Sequence, residues 1–497
     1  MLSLVRSVKN SFAPVNRIPP EIISLTPDYY EYDEDDVDED NVDKDLITLT
    51  HVCRSWRDVF ISRSSLWTRL DFTNVDKTRT YIHRSKSSPL EIHLEEHQDD
   101  PYLDPYLDEA VLLVIPHIRR LKSLTIYTEV IPDVIKHFSC HTPLLEKLDV
   151  ELASFHTPTF DYPLFKGDLS SLRELSLRGY ITLKPWNNLA NLTTFKLDPY
   201  WPGQYSITLL LDFFECAPLL HTIELEDPIP MSSDAPAERI VSLPHLKTLS
   251  IISRSPHSIL FNHLCIPVGA SLILVFGLSD ETSPLQEYLQ ETSVNLKNLS
   301  HITAINLHLH EIEKYMRLSG PSGELRVSAR VEGAIFAWTR DRQILLSLGP
   351  RILSTTQRLA VSKYDHPKSP GIEECPVFQT LSAMTNLRTL VLTECDNLPF
   401  ILALNPDKNS SKLVLCPNLE ELVLYVESQE WFRIKYLLGM TKERASRGVK
   451  LSSITIVGLG ELAPVEGIFE LREHVTRVDY RVDDALPDWD ELPSDDR

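Results

Sequence analysis

Pro417-Asn418-Leu419-Glu420-Glu421-Leu422-Val423-Leu424-Tyr425-Val426 is the stretch that decides the fold. Leu419, Leu422 and Leu424 follow the spacing apolar-x-x-apolar-x-apolar. The last two lie two residues apart, so in a strand they face one side, while Val423 and Tyr425 face the other. The same spacing recurs at Leu121-Leu124-Ile126, Leu145-Leu148-Val150, Leu172-Leu175-Leu177, Leu192-Phe195-Leu197, Leu220-Ile223-Leu225 and Leu246-Leu249-Ile251. It continues at Ile302-Ile305-Leu307, Leu387-Leu390-Leu392 and Leu451-Ile454-Ile456, with a weak copy at Val475-Val478-Tyr480. Successive copies mostly lie 20 to 32 residues apart, the signature of a repeat array. Pro143, Pro218, Pro244 and Pro417 each stand two residues before the first apolar position. A proline there ends a preceding helix and feeds the chain into a strand. Ser206–Cys216, SITLLLDFFEC, reads as such a helix with Ser206 as its cap. Each repeat therefore reads helix, proline turn, short strand. The expected fold class is α/β, an irregular solenoid over 73–482 with parallel strands on the concave face and helices outside.

Ahead of the repeats stands Asp45–Phe72, DLITLTHVCRSWRDVFISRSSLWTRLDF. Leu49, Val52, Cys53, Trp56, Val59 and Phe60 share one face of a helix, with Asp45 as its cap. Upstream, Pro19 and Pro20 preset a short helix through Glu21, Ile22 and Ile23 that Pro27 stops. Between the two, Asp28 to Asp45 holds eleven carboxylates against Lys44 alone, so residues 28–45 read as a solvated, disordered insert. Asp36, Asp38 and Asp40 have the alternate spacing of a calcium loop. Asn41 and Ile47 stand where such a loop needs Gly and Glu, and no metal site is expected there.

These residues carry two resemblances. His51, Val52, Cys53, Arg54, Trp56, Arg57, Asp58, Ser65, Leu66 and Trp67 resemble the second half of a fungal F-box, and Ile18-Pro19-Pro20-Glu21-Ile22 its opening. Thr80–Ser85 and Pro89–Ile92 resemble the segment that follows it in such proteins. The repeat resembles the leucine-rich repeat in its core and departs after it, since only Cys395 matches that family's Asn or Cys. An irregular array is expected for that reason. Together they imply a substrate-receptor subunit of an SCF-type ubiquitin ligase, whose F-box docks on a Skp-family adaptor and through it on a cullin, while the repeats hold a protein target. The resemblance assigns adaptor binding to Pro19, Pro20, Glu21, Ile22, Leu49, Val52, Cys53, Trp56, Leu66 and Trp67. The alternative is a leucine-rich-repeat scaffold with a degenerate F-box and no ligase role.

Composition narrows the partners. With 49 basic and 71 acidic side chains the net charge is -22, which argues against nucleic acid and against an anionic membrane. No continuous apolar span appears. Seven cysteines without a CxxC pair suit free thiols in the cytoplasm or nucleus. Residues 1–17 read as a flexible arm and the acidic 483–497 as a disordered tail. No phosphate loop, zinc signature or nucleophile elbow is present, so no enzyme and no cofactor is expected. His308 and His310, at alternate strand positions, lack a third ligand in the sequence, and Cys216, Cys375 and Cys416 beside turns read as packing. A hairpin is expected around Val327–Val331, returning through Ile335–Trp338. Arg433, Lys435, Lys442, Arg444, Arg447 and Lys450 form a basic outer helix face.

The outward strand positions separate early from late repeats. Asp149, Glu151, Glu174, Asp198, Glu224 and Glu226 make a solvated acidic run, whereas Val391, Thr393, Val423, Tyr425 and Val457 are apolar or neutral. Exposed apolar side chains on a sheet mark a partner site, so these five are the expected target-binding surface. Deleting most of Asp28–Asp45 is expected to leave the thermal midpoint nearly unchanged, because a solvated segment buries little apolar area. Differential scanning calorimetry checks this, and a loss of several degrees would show the block folded against the rest.

Overall fold

The computed structural model describes residues 18–25, 46–72, 74–95, 105–128, 141–152, 169–179, 189–199, 206–226, 238–253, 258–278, 302–309, 313–320, 323–331, 349–362, 376–393, 397–408, 413–426, 434–459 and 467–483, with single positions 14, 138, 235 and 236. The acidic block 28–45, the tail 484–497, nearly all of the arm 1–17, Asp45, His310, Cys375 and Cys395 lie outside the described residues. The chain divides into two compact units, 1–182 with 186–192, and 183–185 with 193–497.

The first unit opens with helices Pro20–Ser24 and 46–51, helix Arg54–Ser62 and the 3₁₀ turn Ser64–Trp67. Its strands are β1 (Arg69–Leu70), β2 (Leu90–Glu95), β3 (Leu121–Thr128), β4 (Lys147–Leu152) and β5 (Glu174–Gly179). They pair in chain order, every pair parallel. The sheet thus starts at Arg69, inside the stretch 45–72. Helix Val75–Ser85 is capped by Asn74, whose Oδ1 accepts from the amides of Asp76 and Lys77 at 2.9 and 3.0 Å. It ends at Lys86, at φ 52°. Arg120 then closes that end: its guanidinium donates to the carbonyls of Lys86 and Ser88 and to Ser85 Oγ.

The second unit contains β6 (Thr194–Asp198), β7 (Thr222–Glu226), β8 (Val241–Ser242), β9 (Thr248–Ser253), β10 (Leu264–Cys265), β11 (Ser271–Leu278), β12 (Ala304–Leu309), β13 (Glu313–Gly320), β14 (Gly323–Val331), β15 (Arg358–Ser362), β16 (Thr389–Thr393), β17 (Glu421–Val426), β18 (Ser453–Leu459) and β19 (Arg477–Asp483). β6, β7, β9 and β11 pair in parallel, as do β12, β15, β16, β17, β18 and β19, while β8 and β10 form a separate parallel pair. Between β11 and β12 sits an inserted hairpin, with β14 parallel to β11 and β13 antiparallel to both β14 and β12. The strand read around Val327–Val331 is β14, but its hairpin partner precedes it as β13. Residues 335–338 lie outside the described residues. The last strand runs to Asp483, so the tail begins one residue later than the sequence suggested.

The apolar triads meet in register. Leu390, Leu422 and Ile454 stand side by side, as do Leu392, Leu424 and Ile456, all buried. Helices lie on the same face: Phe195 of β6 packs at 4.2 Å between ring centroids on Phe213 of helix Ile207–Cys216, which Ser206 caps as expected. From Gly349–Thr355 to Ile468–His474, each described helix packs on the next.

Two backbone devices repeat. In many repeats the amide of the first apolar residue closes a four-residue turn. Leu145 donates to Thr142 O at 3.2 Å, Leu220 to Ala217 O at 3.3 Å, Leu246 to Leu243 O at 3.2 Å and Leu419 to Cys416 O at 3.1 Å. Proline sits second in each of these turns, where its fixed φ is preset, so it seeds a turn as well as ending a helix. The carbonyl one residue after the first apolar position then accepts two amides from the following repeat. His221 O takes Lys247 and Thr248 at 2.7 and 3.0 Å, Arg388 O takes Glu420 and Glu421 at 2.8 and 2.9 Å, and Glu420 O takes Ser452 and Ser453 at 2.8 and 3.0 Å. A side-chain ladder runs beside it. Asn191 donates to Ser170 O at 2.7 Å, Asn386 to Ser354 O at 2.7 Å, Asn418 to Thr385 O at 3.0 Å and Ser171 to Pro143 O at 2.6 Å. The array therefore has an Asn/Ser ladder, one residue before the first apolar position rather than after the last.

Arg444 departs from the expected solvated basic face. It is fully buried, and donates to Leu415 O at 2.8 Å and Cys416 O at 2.9 Å. Burial lowers its pKa from the usual arginine value. The two carbonyls belong to the turn ahead of β17, where Cys416 holds φ 46°. The Cys416 thiol donates to Leu381 O at 3.3 Å, so this turn is pinned to the helices before and after it. Arg444→Ala is expected to lower the unfolding free energy by about 3 kcal/mol, because buried polar groups lose their partner. Arg444→Lys restores less than half of that, since an ammonium lacks the planar fork. Urea unfolding followed by circular dichroism checks both.

Candidate functional site

The N-terminal helices form a small module with its own core. Ile23, Leu49 and Phe60 are buried together, with Trp56, Val59 and Leu66 packed against them. The Trp56 ring meets Phe60 edge-on at 5.7 Å. Arg63 donates to Ser24 O, tying Pro20–Ser24 to the later helix, and Arg57 Nε donates to Thr50 O at 3.0 Å. The expected single helix from Leu49 to Phe60 is two helices. Cys53 is extended at φ -160°, ψ 173°, and breaks the run between His51 and Arg54. The break turns Val52 out of the core, to 50% exposure. Ile22 is 55% exposed, and Ile18, Leu25 and Ile47 are exposed as well. A small module that leaves five large aliphatic side chains in water presents an apolar surface.

The ten residues assigned to adaptor binding thus divide. Pro19, Pro20, Glu21, Ile22 and Val52 are exposed. Cys53, Trp56 and Leu66 are half-buried, and Leu49 belongs to the module's core. Trp67 is a correction: it is fully buried and closed to any partner. Its indole N–H donates to Phe60 O at 3.0 Å, Tyr81 meets it edge-on at 5.0 Å, and the Arg84 guanidinium lies 4.3 Å from its ring centroid. It joins the helical module to the start of the sheet.

The expected target-binding surface is also corrected. Val391, Thr393, Tyr425 and Val457 are buried, and Val423 packs against the cluster that Val391, Tyr425, Val457 and Ala360 form. In β15–β18 both sheet faces are buried, so apolar residues on the outward face are core. In β4 and β5 burial alternates strictly, leaving Lys147, Asp149, Glu151, Glu174, Ser176 and Arg178 on the outward side. That side is not an unbroken acidic run. Arg178, opposite Glu151 in register, reaches Glu151 at 3.0 Å and Asp149 at 3.3 Å. Lys196 holds Glu224 at 2.7 Å, and Lys147 approaches Glu174 at 4.0 Å. At the strand starts a 340 Å³ groove is lined by Glu91, Lys122, Glu146, Lys147, Arg173 and Glu174, with charges of both signs.

Among the described residues, no group of three or more metal-ligating side chains occurs, and no helix is long and apolar enough to cross a membrane. Cys53, Cys216, Cys265 and Cys416 are thiols outside any disulfide. Burial pushes the Cys416 thiol up to about 12, against a smaller opposing effect of Arg444. No protein-family model matches the chain, and no curated protein matches it.

Cys416 has a pH signature. Its folded pKa lies above the 9.0 of an ordinary thiol, so the stability it contributes is complete below pH 9 and is lost as pH rises toward about 12. Cys416→Ala is expected to remove that alkaline component, at most about 4 kcal/mol for a shift of this size. Denaturant midpoints of both proteins from pH 8 to 11 check it.

Proposed function

We propose that the chain is a substrate-receptor subunit of an SCF-type ubiquitin ligase. Its N-terminal helices are an F-box-like module that docks on a Skp-family adaptor, and its repeats are a leucine-rich-repeat-like solenoid that holds a protein target. One observation supports this above the others. Ile18, Ile22, Leu25, Ile47 and Val52 stand exposed in the same N-terminal helices that bury the trio Ile23, Leu49 and Phe60. A module held by its own core that still leaves apolar side chains in water is built to be covered by another protein. The exposed positions include Ile22 and Val52, which carry the sequence resemblance at both ends of the motif.

In this reading the chain does no bond chemistry. The target meets the outward face of β3–β5, where Tyr127, Glu151 and Arg178 lie side by side in register with Asp149 two residues before Glu151, instead of the late strands whose outward face is core. Fixed ion pairs there select charge and register more than affinity.

The test uses the full chain co-expressed with a Skp-family adaptor. Ile22→Asp combined with Val52→Asp changes two exposed positions, so the thermal midpoint holds. Adaptor affinity is expected to fall on the order of 30-fold, the loss of about 2 kcal/mol typical of hot-spot side chains. Equal retention of the adaptor by the two proteins would sink the docking reading.

A further inference from the structure

The helices Ile434–Ser446 and Ile468–His474 pack side by side. Contact is close enough that a Cβ on Gly467 would meet Ile434 Cγ1 at 3.1 Å and Leu438 Cδ1 at 3.4 Å. Leu437, Met440, Ile468 and Leu471 are buried. The outer side carries Lys435, Tyr436, Lys442, Lys450, Phe469 and Arg472, all exposed. Phe469 is 80% exposed, with the Arg472 guanidinium 5.6 Å from its ring centroid. Within the two helices the carboxylates are Glu443, which Arg447 holds at 3.0 Å, together with Glu470 and Glu473. This surface is therefore cationic and aromatic on a chain whose net charge is -22.

We propose that this helical face docks residues 484–497 of the same chain, DALPDWDELPSDDR. Charge complementarity and position both point to this occupant. The segment carries six carboxylates against Arg497 alone, and Leu486, Trp489 and Leu492 recur every third residue. It leaves β19 at Asp483, and β19 lies against helix Ile468–His474. Its 14 residues reach on the order of 45 Å when extended, while a 13-residue helix is about 20 Å long, so it can run the length of the face. Trp489 covers Phe469 or Tyr436 and brings their apolar area out of water, and the flanking carboxylates meet Lys435, Lys442 and Arg472. The exposed Phe469 thereby has a partner whose aromatic and acidic composition matches its surroundings.

Zero-length carbodiimide coupling of the full-length protein, mapped by mass spectrometry, tests this. The expected products join Asp488, Asp490 or Glu491 to Lys435 or Lys442 within one chain, with a yield unaffected by dilution. Trp489→Ser leaves every reacting group in place and is expected to lower that yield at least fivefold, as is Phe469→Ser. In the same variants, amide hydrogen exchange over 434–446 and 468–474 is expected to quicken. Couplings spread over lysines of other repeats such as Lys196 and Lys247 overturn the proposal. So do couplings between two chains that vanish on dilution, which would make a second copy the occupant. A yield unchanged by either variant overturns it as well.

Discussion

A carbonyl that accepts two amides from the next repeat fixes the spacing of nearly everything else. One bond would allow neighbouring strands to slide. Two bonds from consecutive residues, as from Lys247 and Thr248 onto His221, admit one register. A slip by one residue would turn each leucine from the helix side to the outward side. Register then places Leu422 beside Leu390 and Ile454, and the helices follow, because the apolar surface they cover is continuous only in that alignment. The turn that precedes each strand serves the same end. It delivers the first apolar residue into the core at a set distance from the carbonyl that the next repeat needs.

The outward face has no such uniformity. Where β4 and β5 carry Asp149, Glu151 and Arg178, side chains half in water pair with one another across strands. Where β16 and β17 carry Val391 and Tyr425, the face is closed. Strand patterning states which residues alternate but not what stands over the alternate face. A Val on the outward side reads the same whether it waits for a partner or lies in a core. This ambiguity is the reason the late strands suggested a binding surface that the fold itself uses.

Local rules made much of the rest legible. The triad spacing located the strands, Ser206 capped its helix, and Pro19 and Pro20 opened theirs. What escaped depended on residues distant in sequence. Arg444 reads as one more cation on an outer helix until the carbonyls of Leu415 and Cys416 are seen facing it. Trp67 reads as a docking residue until Phe60, Tyr81 and Arg84 enclose it. The break at Cys53 escaped for another reason: the apolar spacing on either side still fits one helix, and no glycine or proline marks the interruption. The ladder of Asn191, Asn386 and Asn418 stands in the sequence as Asn-Leu at the head of several repeats, one position ahead of the apolar triad.

The hairpin between β11 and β12 bears on how the chain is made. During synthesis β6, β7, β9 and β11 emerge in the order in which they pair, so β7, β9 and β11 each find a finished edge waiting. For β12 no such edge exists. The strand that pairs with it on one side, β13, and the one that connects β13 to β11, β14, are both still to come. The next strand to add to the β11 edge is β14, so that edge stays open from Leu278 until Val331 has left the ribosome. A nascent chain cut or stalled inside that window holds an unfinished parallel edge at β11, the state in which a chaperone has most to protect.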